Sequence, residues 1–324
     1  MSQNVAYIFP GQGAQYVGMG KELYETYPLA KEIFDKANAI LGFDLTKLCF
    51  EGPGKDLTIT SNSQVAILTH SVAALRVFES AIQQSNHQTI QPSDHPTIQQ
   101  YTPTFALGLS LGEYSALIAS GCLFFEDGLR LVRKRGEFMD LAAQKNPGKM
   151  VSIIGMPLKQ VEELCKGIGG CEIANLNCPD QVVVSGKAAN IELLAGLARD
   201  KGAKRAILLE VSGAFHSSLM TPAMEKLEKE IQKVAFNVPK YPIISNVTAK
   251  PTQDPVEIKR NLINQVSSRT FFEASIRYVM SQGIKTYLEI GPGNVLKGLL
   301  RKIDNSLQVI NIEKPSDIII PQSF

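Results

Sequence analysis

The sequence predicts an α/β protein: a parallel sheet covered by helices, with a small α+β unit set into the middle of the chain. Three observations carry this. Short apolar runs, Gly-containing turns and apolar-faced helices follow one another near both ends, as a buried parallel sheet requires. Residues 149–213 change character and alternate as β-α-β-β-α-β, the order of a ferredoxin-like unit. Strand–helix units then resume. The larger domain is therefore expected to be discontinuous, 1–148 with 214–324, and 149–213 to be a small inserted subdomain.

The elements follow in order. "VAYIF" (5–9) reads as a strand running directly into "PGQGAQ". "QVAILTHSVAALRVFES" (64–80) has the length and apolar content of a core helix. The polar, Gln-rich stretch over 83–101 echoes itself, "HQTIQ" at 87 and "HPTIQ" at 95, and reads as a surface insertion in a loop. Phe105, Ala106 and Leu107 form a buried strand, "LGEYSALIAS" a helix ended by Gly121, and 126–144 another helix. In the inserted unit, "KMVSIIG", "CEIANLN", "QVVVSG" and "RAILLEV" are strands, while "LKQVEELCKGI" and "NIELLAGLARDKG" are helices. "PIISNV", "FFEASIRYVMSQG", "KTYLEIGPGNVLKGLLRKI" and "LQVINI" then read as strand, helix, strand–turn–helix and strand.

Composition narrows the function classes. A chain of 324 residues can bury a large core, and 20% charged residues with a net charge of +2 argue against disorder and against a nucleic-acid binder built on basic patches. The five cysteines (Cys49, Cys122, Cys165, Cys171, Cys178) form no Cys-x-x-Cys pair, so buried reduced thiols are expected rather than a zinc site or a disulfide framework. The apolar run in "MSQNVAYIFPGQG" is too short for a signal peptide, and no segment approaches ~18 continuous apolar residues. A soluble cytoplasmic protein with no membrane partner is expected.

Candidate chemistry starts at Gly108-Leu109-Ser110-Leu111-Gly112, a G-x-S-x-G between strand and helix. That context suits a nucleophile elbow, although the same pattern occurs in plain turns. A serine hydroxyl needs a base, and there are four histidines. His70 lies in an apolar helix, where a satisfied core or boundary histidine is expected; His87 and His95 lie in the polar insertion. His216, in "EVSGAFHSSLM", sits in a loop between strand and helix, where it either caps the helix or acts as the base of Ser110. No histidine follows it, so the arrangement differs from the Ser…Asp/Glu…His order of common esterases. Leu131, Arg135, Phe138, Met139 and Ala142 share one helix face, so Arg135 is a permanent cation on an otherwise apolar stripe. Its partner is either an acid elsewhere in the chain or a substrate carboxylate held by two bonds.

The chain resembles the malonyl-CoA:acyl carrier protein transacylases of fatty acid synthesis. The matching stretches are "IFPGQGAQYVGMG", "GLSLGEYSAL", "LVRKRGEFM", "IANLNCPDQVVVSG", "GAFHSSLM", "PIISNVTA" and "LEIGPGNVLKGLL", in order and over nearly the whole length. The resemblance implies an α/β-hydrolase-like core carrying the ferredoxin-like subdomain. It places the nucleophile on Ser110, the base on His216, the carboxylate-binding arginine on Arg135 and the oxyanion hole on the backbone N–H groups of Gln12 and Leu111. It also places on Gln265 the carbonyl that orients the histidine, and it makes Phe215 a residue that narrows the room for an α-methyl branch. The implied reaction passes a malonyl group from malonyl-CoA through a Ser110 ester to the phosphopantetheine thiol of acyl carrier protein, with no metal or redox cofactor, in a chain expected to act as a monomer. Lys285, Lys297, Arg301 and Lys302 are candidates for a basic docking patch, or simply a solvated face.

Two departures stand out. Leu109 replaces the histidine that usually precedes the serine, and the 83–101 insertion is longer than expected. Alternatives within reach of the same residues are a thioesterase or esterase on this core, a transacylase serving a polyketide synthase, and a scaffold with a degenerate site.

Overall fold

The first strand, β1 (Gln3–Phe9), carries Val5, Ala6, Tyr7, Ile8 and Phe9 with every side chain buried. A strand buried on both faces belongs inside a parallel sheet covered by helices, and β1 lies there. The computed structural model describes residues 3–87 and 101–318. Four helices follow β1: α1 (Lys21–Thr26), α2 (Pro28–Leu41), α3 (Leu45–Glu51) and α4 (Gly54–Thr58). The long α5 (Thr60–His87) crosses the core. Then come β2 (Tyr101–Gly108), α6 (Gly112–Ala119) and α7 (Phe125–Lys145).

The middle of the chain forms β3 (Gly148–Ile154), α8 (Leu158–Ile168), β4 (Cys171–Cys178), β5 (Gln181–Lys187), α9 (Ala188–Asp200) and β6 (Arg205–Leu208). The last part adds α10 (Thr221–Ile231), β7 (Ile243–Ile244), β8 (Pro251–Thr252), α11 (Pro255–Gln265), α12 (Phe272–Ser281), β9 (Thr286–Ile290), α13 (Val295–Ile303) and β10 (Gln308–Ile312).

Two sheets result. The larger has the order β10-β9-β1-β2-β7-β8, parallel except where β8 runs antiparallel beside β7. The smaller is antiparallel throughout, in the order β4-β5-β3-β6. No large-sheet strand comes from residues 148–208, because all four strands of that stretch pair among themselves.

The order of the large sheet positions the site. From β1 the chain adds β2 on one side, while β9 and β10 return on the other. Such a reversal leaves a crevice at the carboxyl ends of the strands. Phe9 pairs beside Gly108 at those ends, so the Pro-Gly-Gln-Gly turn and the serine turn leave neighbouring strands side by side.

Three sequence expectations change. The core helix read over 64–80 runs from Thr60 to His87 and so takes up the start of the expected loop, Tyr101 at its other end opens β2, and residues 88–100 between them, with His95, lie outside the described residues. Within α5, Thr60–Gln83 has the length and composition of a membrane-crossing helix, but 78% of its most apolar window is buried, with Val65, Leu68, Val72 and Leu75 in the main core. "PIISNV" gives a strand of only two residues before the chain turns.

Candidate active site

The serine turn is built by close approach. A Cβ on Gly108 would stand 2.1 Å from the backbone of Gly112, and a Cβ on Gly112 would stand 2.1 Å from the Phe9 carbonyl oxygen. Only glycines allow strand β2 to turn into α6 this tightly against β1. Ser110 is left at φ 53°, a left-handed conformation uncommon for a serine, and His216 also has positive φ, at 57°. Asn246 holds the serine turn in place. Its Oδ1 accepts from the Ser110 N–H at 2.7 Å, and its Nδ2 donates to the Gly108 carbonyl at 2.7 Å. Leu109 donates its N–H to Phe9 O at 3.1 Å and packs its side chain against the second apolar cluster.

Ser110 and His216 meet. His216 Nε2 lies 2.8 Å from Ser110 Oγ, and Nδ1 lies 2.8 Å from the Gln265 carbonyl oxygen. A carbonyl only accepts, so Nδ1 carries the proton and Nε2 is left to accept from the serine. Burial, and then the charge of Arg135, push the imidazole down to about 4, so it stays neutral near pH 7. The histidine loop is braced by the small sheet: Ser185 donates to the Phe215 carbonyl, and the Glu172 carboxylate takes the Ser218 N–H at 3.1 Å together with the Ser218 hydroxyl. Thr270 bonds to β4 on both sides, through its N–H to Ala174 O at 2.8 Å and its carbonyl to the Leu176 N–H at 3.0 Å, which fixes the segment just after Gln265.

Arg135 joins the same point. Of the α7 stripe, Leu131, Met139 and Ala142 are buried and Phe138 partly so, and Arg135 is only 1% exposed. Nη2 donates to Ser110 Oγ at 2.9 Å and to Gln265 Oε1 at 3.1 Å, while Nη1 donates to Gln64 Oε1 at 2.7 Å. The Tyr114 ring lies 5.7 Å from the guanidinium carbon. Burial lowers the pKa of Arg135 from its usual value. Ser110 Oγ thus gives its proton toward His216 and accepts from Arg135.

The remaining predicted residues are placed as follows. The backbone N–H groups of Gln12 and Leu111 have no hydrogen-bond partner among the described residues, and the Gln12 side chain donates to Thr60 Oγ1 at 3.4 Å. Phe215 is 5% exposed and packs into the main core, next to the base. A cleft of about 710 Å³ reaches His216 past Ser267, Ser268, Arg269, Lys166 and Cys171. The groove of about 800 Å³ between α8 and α9 contains none of these site residues. His70 is core, as expected, but it is not satisfied: neither ring nitrogen has a partner among the described residues, and burial pushes it down to about 3. The five cysteines are free thiols, and no group of three or more metal-binding side chains occurs among the described residues.

Sequence reasoning missed three residues of the constellation: Asn246, Glu113 and Gln64. Gln265 Nε2 donates to Glu113 Oε2 at 2.7 Å and to Ser110 O at 3.0 Å, and the Asn246 N–H reaches Glu113 Oε2 at 3.2 Å. Burial, opposed by these bonds and by the charge of Arg135, pushes the Glu113 carboxyl up to about 7.

The mixed α/β fold, with its mostly parallel large sheet and a serine hydrogen-bonded to a histidine at the end of β2, is that of an acyltransferase. The family described as "Acyl transferase domain" matches residues 6–314. The malonyl CoA-acyl carrier protein transacylase of Bacillus subtilis (strain 168) is 46% identical over 319 residues, covering 97% of this chain and 95% of its own length. Among solved structures, the acyl-carrier-protein-S-malonyltransferase from Bartonella henselae has a TM-score of 0.89 at 37% identity and covers 98% of this chain and 97% of its own. A type II PKS acyl-carrier protein in complex with its malonyl-transacylase gives a TM-score of 0.88 at 33% identity, with 98% of both chains covered. The chain belongs to the malonyl CoA-acyl carrier protein transacylase family.

Proposed function

We propose that the chain transfers the malonyl group of malonyl-CoA to the phosphopantetheine thiol of holo acyl carrier protein, through a malonyl ester on Ser110. The observation that carries this is the sharing of Ser110 Oγ between His216 Nε2 at 2.8 Å and Arg135 Nη2 at 2.9 Å. A base and a carboxylate seat meet at one nucleophile, as an acyl group ending in a carboxylate requires.

His216 takes the Ser110 proton as Oγ attacks the thioester carbonyl. The Gln12 and Leu111 N–H groups receive the oxyanion, at about 3 kcal/mol per donor in comparable sites. The C–S bond breaks, and CoA leaves as a thiol with the proton from His216. The carrier thiol then gives its proton to His216 and attacks the ester, and the Ser110 oxygen takes that proton back as it leaves. Arg135 turns its fork from Ser110 Oγ to the malonyl carboxylate. Phe215, beside the base, limits the room for an α-methyl branch. The pantetheine arm enters by the cleft at His216. The steps balance without a metal or redox cofactor.

The domain reading belongs to the same proposal. The large sheet with its elbow supports an α/β-hydrolase-like core of 1–148 and 214–324. The β-α-β-β-α-β order and antiparallel pairing support a ferredoxin-like subdomain over 149–213. Every residue of the constellation comes from one chain, so a monomer suffices. A cytoplasmic location fits a reaction between CoA and a carrier protein, and fatty acid synthesis is the pathway assigned. The test is intact-protein mass: malonyl-CoA should add one malonyl group, and holo carrier protein should remove it and gain it. Release of free malonate without a carrier would instead make the chain a thioesterase.

A further inference from the structure

A buried guanidinium needs an opposite charge, and a direct ion pair would occupy the two-pronged face that must receive a substrate. Arg135 makes no ion pair among the described residues, and neither does Glu113. Glu113 is itself only 2% exposed, on α6, where all eight residues are buried. The Gln265 side chain lies between them. Its Oε1 takes Arg135 Nη2 at 3.1 Å and its Nε2 gives to Glu113 Oε2 at 2.7 Å. A carboxylate only accepts and a guanidinium only donates, so the two charges also fix which way this amide faces.

We propose that Glu113 is the resident counter-charge of Arg135, held off it by the Gln265 amide, so that the guanidinium is compensated in the empty site while only the neutral acceptors Gln64, Ser110 and Gln265 occupy the fork that an acyl carboxylate takes over. This rests on the reading of Arg135 as the acyl-carboxylate seat. Glu113 is then a positioning residue that sets specificity: the acyl carboxylate arrives as the second anion on one cation, and its hold is weaker than the cation alone would give. The other groups facing Glu113 are Tyr114 beside it on α6 and Ser245 and Asn246 from the turn after β7. None of these is a cation, so among the described residues Arg135 is the one positive charge that reaches it there.

The experiment uses Glu113→Gln, Arg135→Gln and the double variant at pH 8, above the value to which burial raises the Glu113 carboxyl. In Glu113→Gln the malonyl carboxylate becomes the sole counter-charge, so KM for malonyl-CoA should fall on the order of tenfold with kcat steady, the mark of uniform binding. KM for acetyl-CoA should not move. Each single variant should lower the thermal midpoint, and the double should lower it by less than the two shifts together. Additive shifts, or a KM change shared by acetyl-CoA, overturn the proposal. If Glu113→Gln alone yields no folded protein, a folded double variant supports the pairing and an unfolded one overturns it. Failure of the seat itself shows differently: Arg135→Gln alone would then lower malonyl and acetyl transfer by one factor, while the midpoint cycle would still report the Glu113 pairing.

Discussion

Asn246→Ala tests whether the serine turn is held from outside. The Asn246 side chain makes two 2.7 Å bonds, one from the Ser110 N–H and one to the Gly108 carbonyl, and Asn246 is 3% exposed. Truncation leaves both backbone groups unpaired around a serine at φ 53°. Each unsatisfied group costs about 1–3 kcal/mol, so with two of them the folded state should lose about 2–6 kcal/mol. The strained turn should also relax, shifting Oγ relative to His216 Nε2. A misplacement of about 1 Å at a reacting atom costs on the order of 10²-fold in rate. Denaturant unfolding gives the first number, and single-turnover acylation by malonyl-CoA, followed by intact mass, gives the second. Stability within about 0.5 kcal/mol of the parent, the range of an ordinary surface change, together with an unchanged acylation rate would refute the reasoning.

Ser110→Ala should abolish both the adduct and transfer while the unfolding midpoint holds; an adduct of normal yield on another residue would displace the nucleophile. His216→Ala should slow acylation and deacylation together by on the order of 10²–10⁴, measured in single-turnover half-reactions. Because burial and the Arg135 charge push His216 down to about 4, the free-enzyme rate should persist below pH 6 and fall as pH drops through about 4, where the imidazole protonates and can no longer accept. Arg135→Ala should cut kcat/KM for malonyl-CoA steeply while acetyl-CoA transfer holds or rises; equal loss for malonyl-, methylmalonyl- and acetyl-CoA would make the arginine structural.

What the sequence made legible follows from how each residue is used. The serine turn could be read because its glycines are demanded by backbone contacts at 2.1 Å, which leave no substitute. Arg135 could be read because a cation interrupts an apolar stripe of period 3.6. Glu113 carried the same signal, a lone charge in the all-buried α6, and was passed over because the stretch was short. Asn246 and Gln64 had no such mark: each is a polar residue whose partners lie 136 and 71 positions away, and no local pattern encodes such a contact. The missed helices divide in the same way. α2 begins with Pro28 and ends at Gly42, and α11 begins with Pro255 after a capping Asp254, so both carried readable punctuation. α1, α3 and α4 have five to seven residues, too few to show a period, and tertiary packing decides them.

The same site also explains why a thiol rather than water should take the acyl group. In common Ser-His-Asp sites a carboxylate behind the imidazole stabilises its protonated form. Here the group behind Nδ1 is the neutral Gln265 carbonyl, and a cation, Arg135, stands on the nucleophile side. Burial first, and then the Arg135 charge, keep His216 a weak base, at about 4, and the neutral Gln265 carbonyl raises it only in part. Bulk water is a weaker acid than a thiol by roughly seven powers of ten, a gap that holds for any base, and the harder proton transfer, from water, is the one that depends more on the strength of the base. The half-buried serine and the cleft then admit a slender arm more readily than bulk solvent. Removing the Arg135 charge should raise the basicity of His216 and erode this preference. Acetyl–Ser110 formed on Arg135→Ala should therefore hydrolyse faster, relative to its transfer to holo carrier protein, than acetyl–Ser110 on the parent. The ratio is read by following loss of the adduct mass with and without carrier. A ratio that does not move would mean that exclusion of water, and not the strength of the base, separates transfer from hydrolysis in this fold.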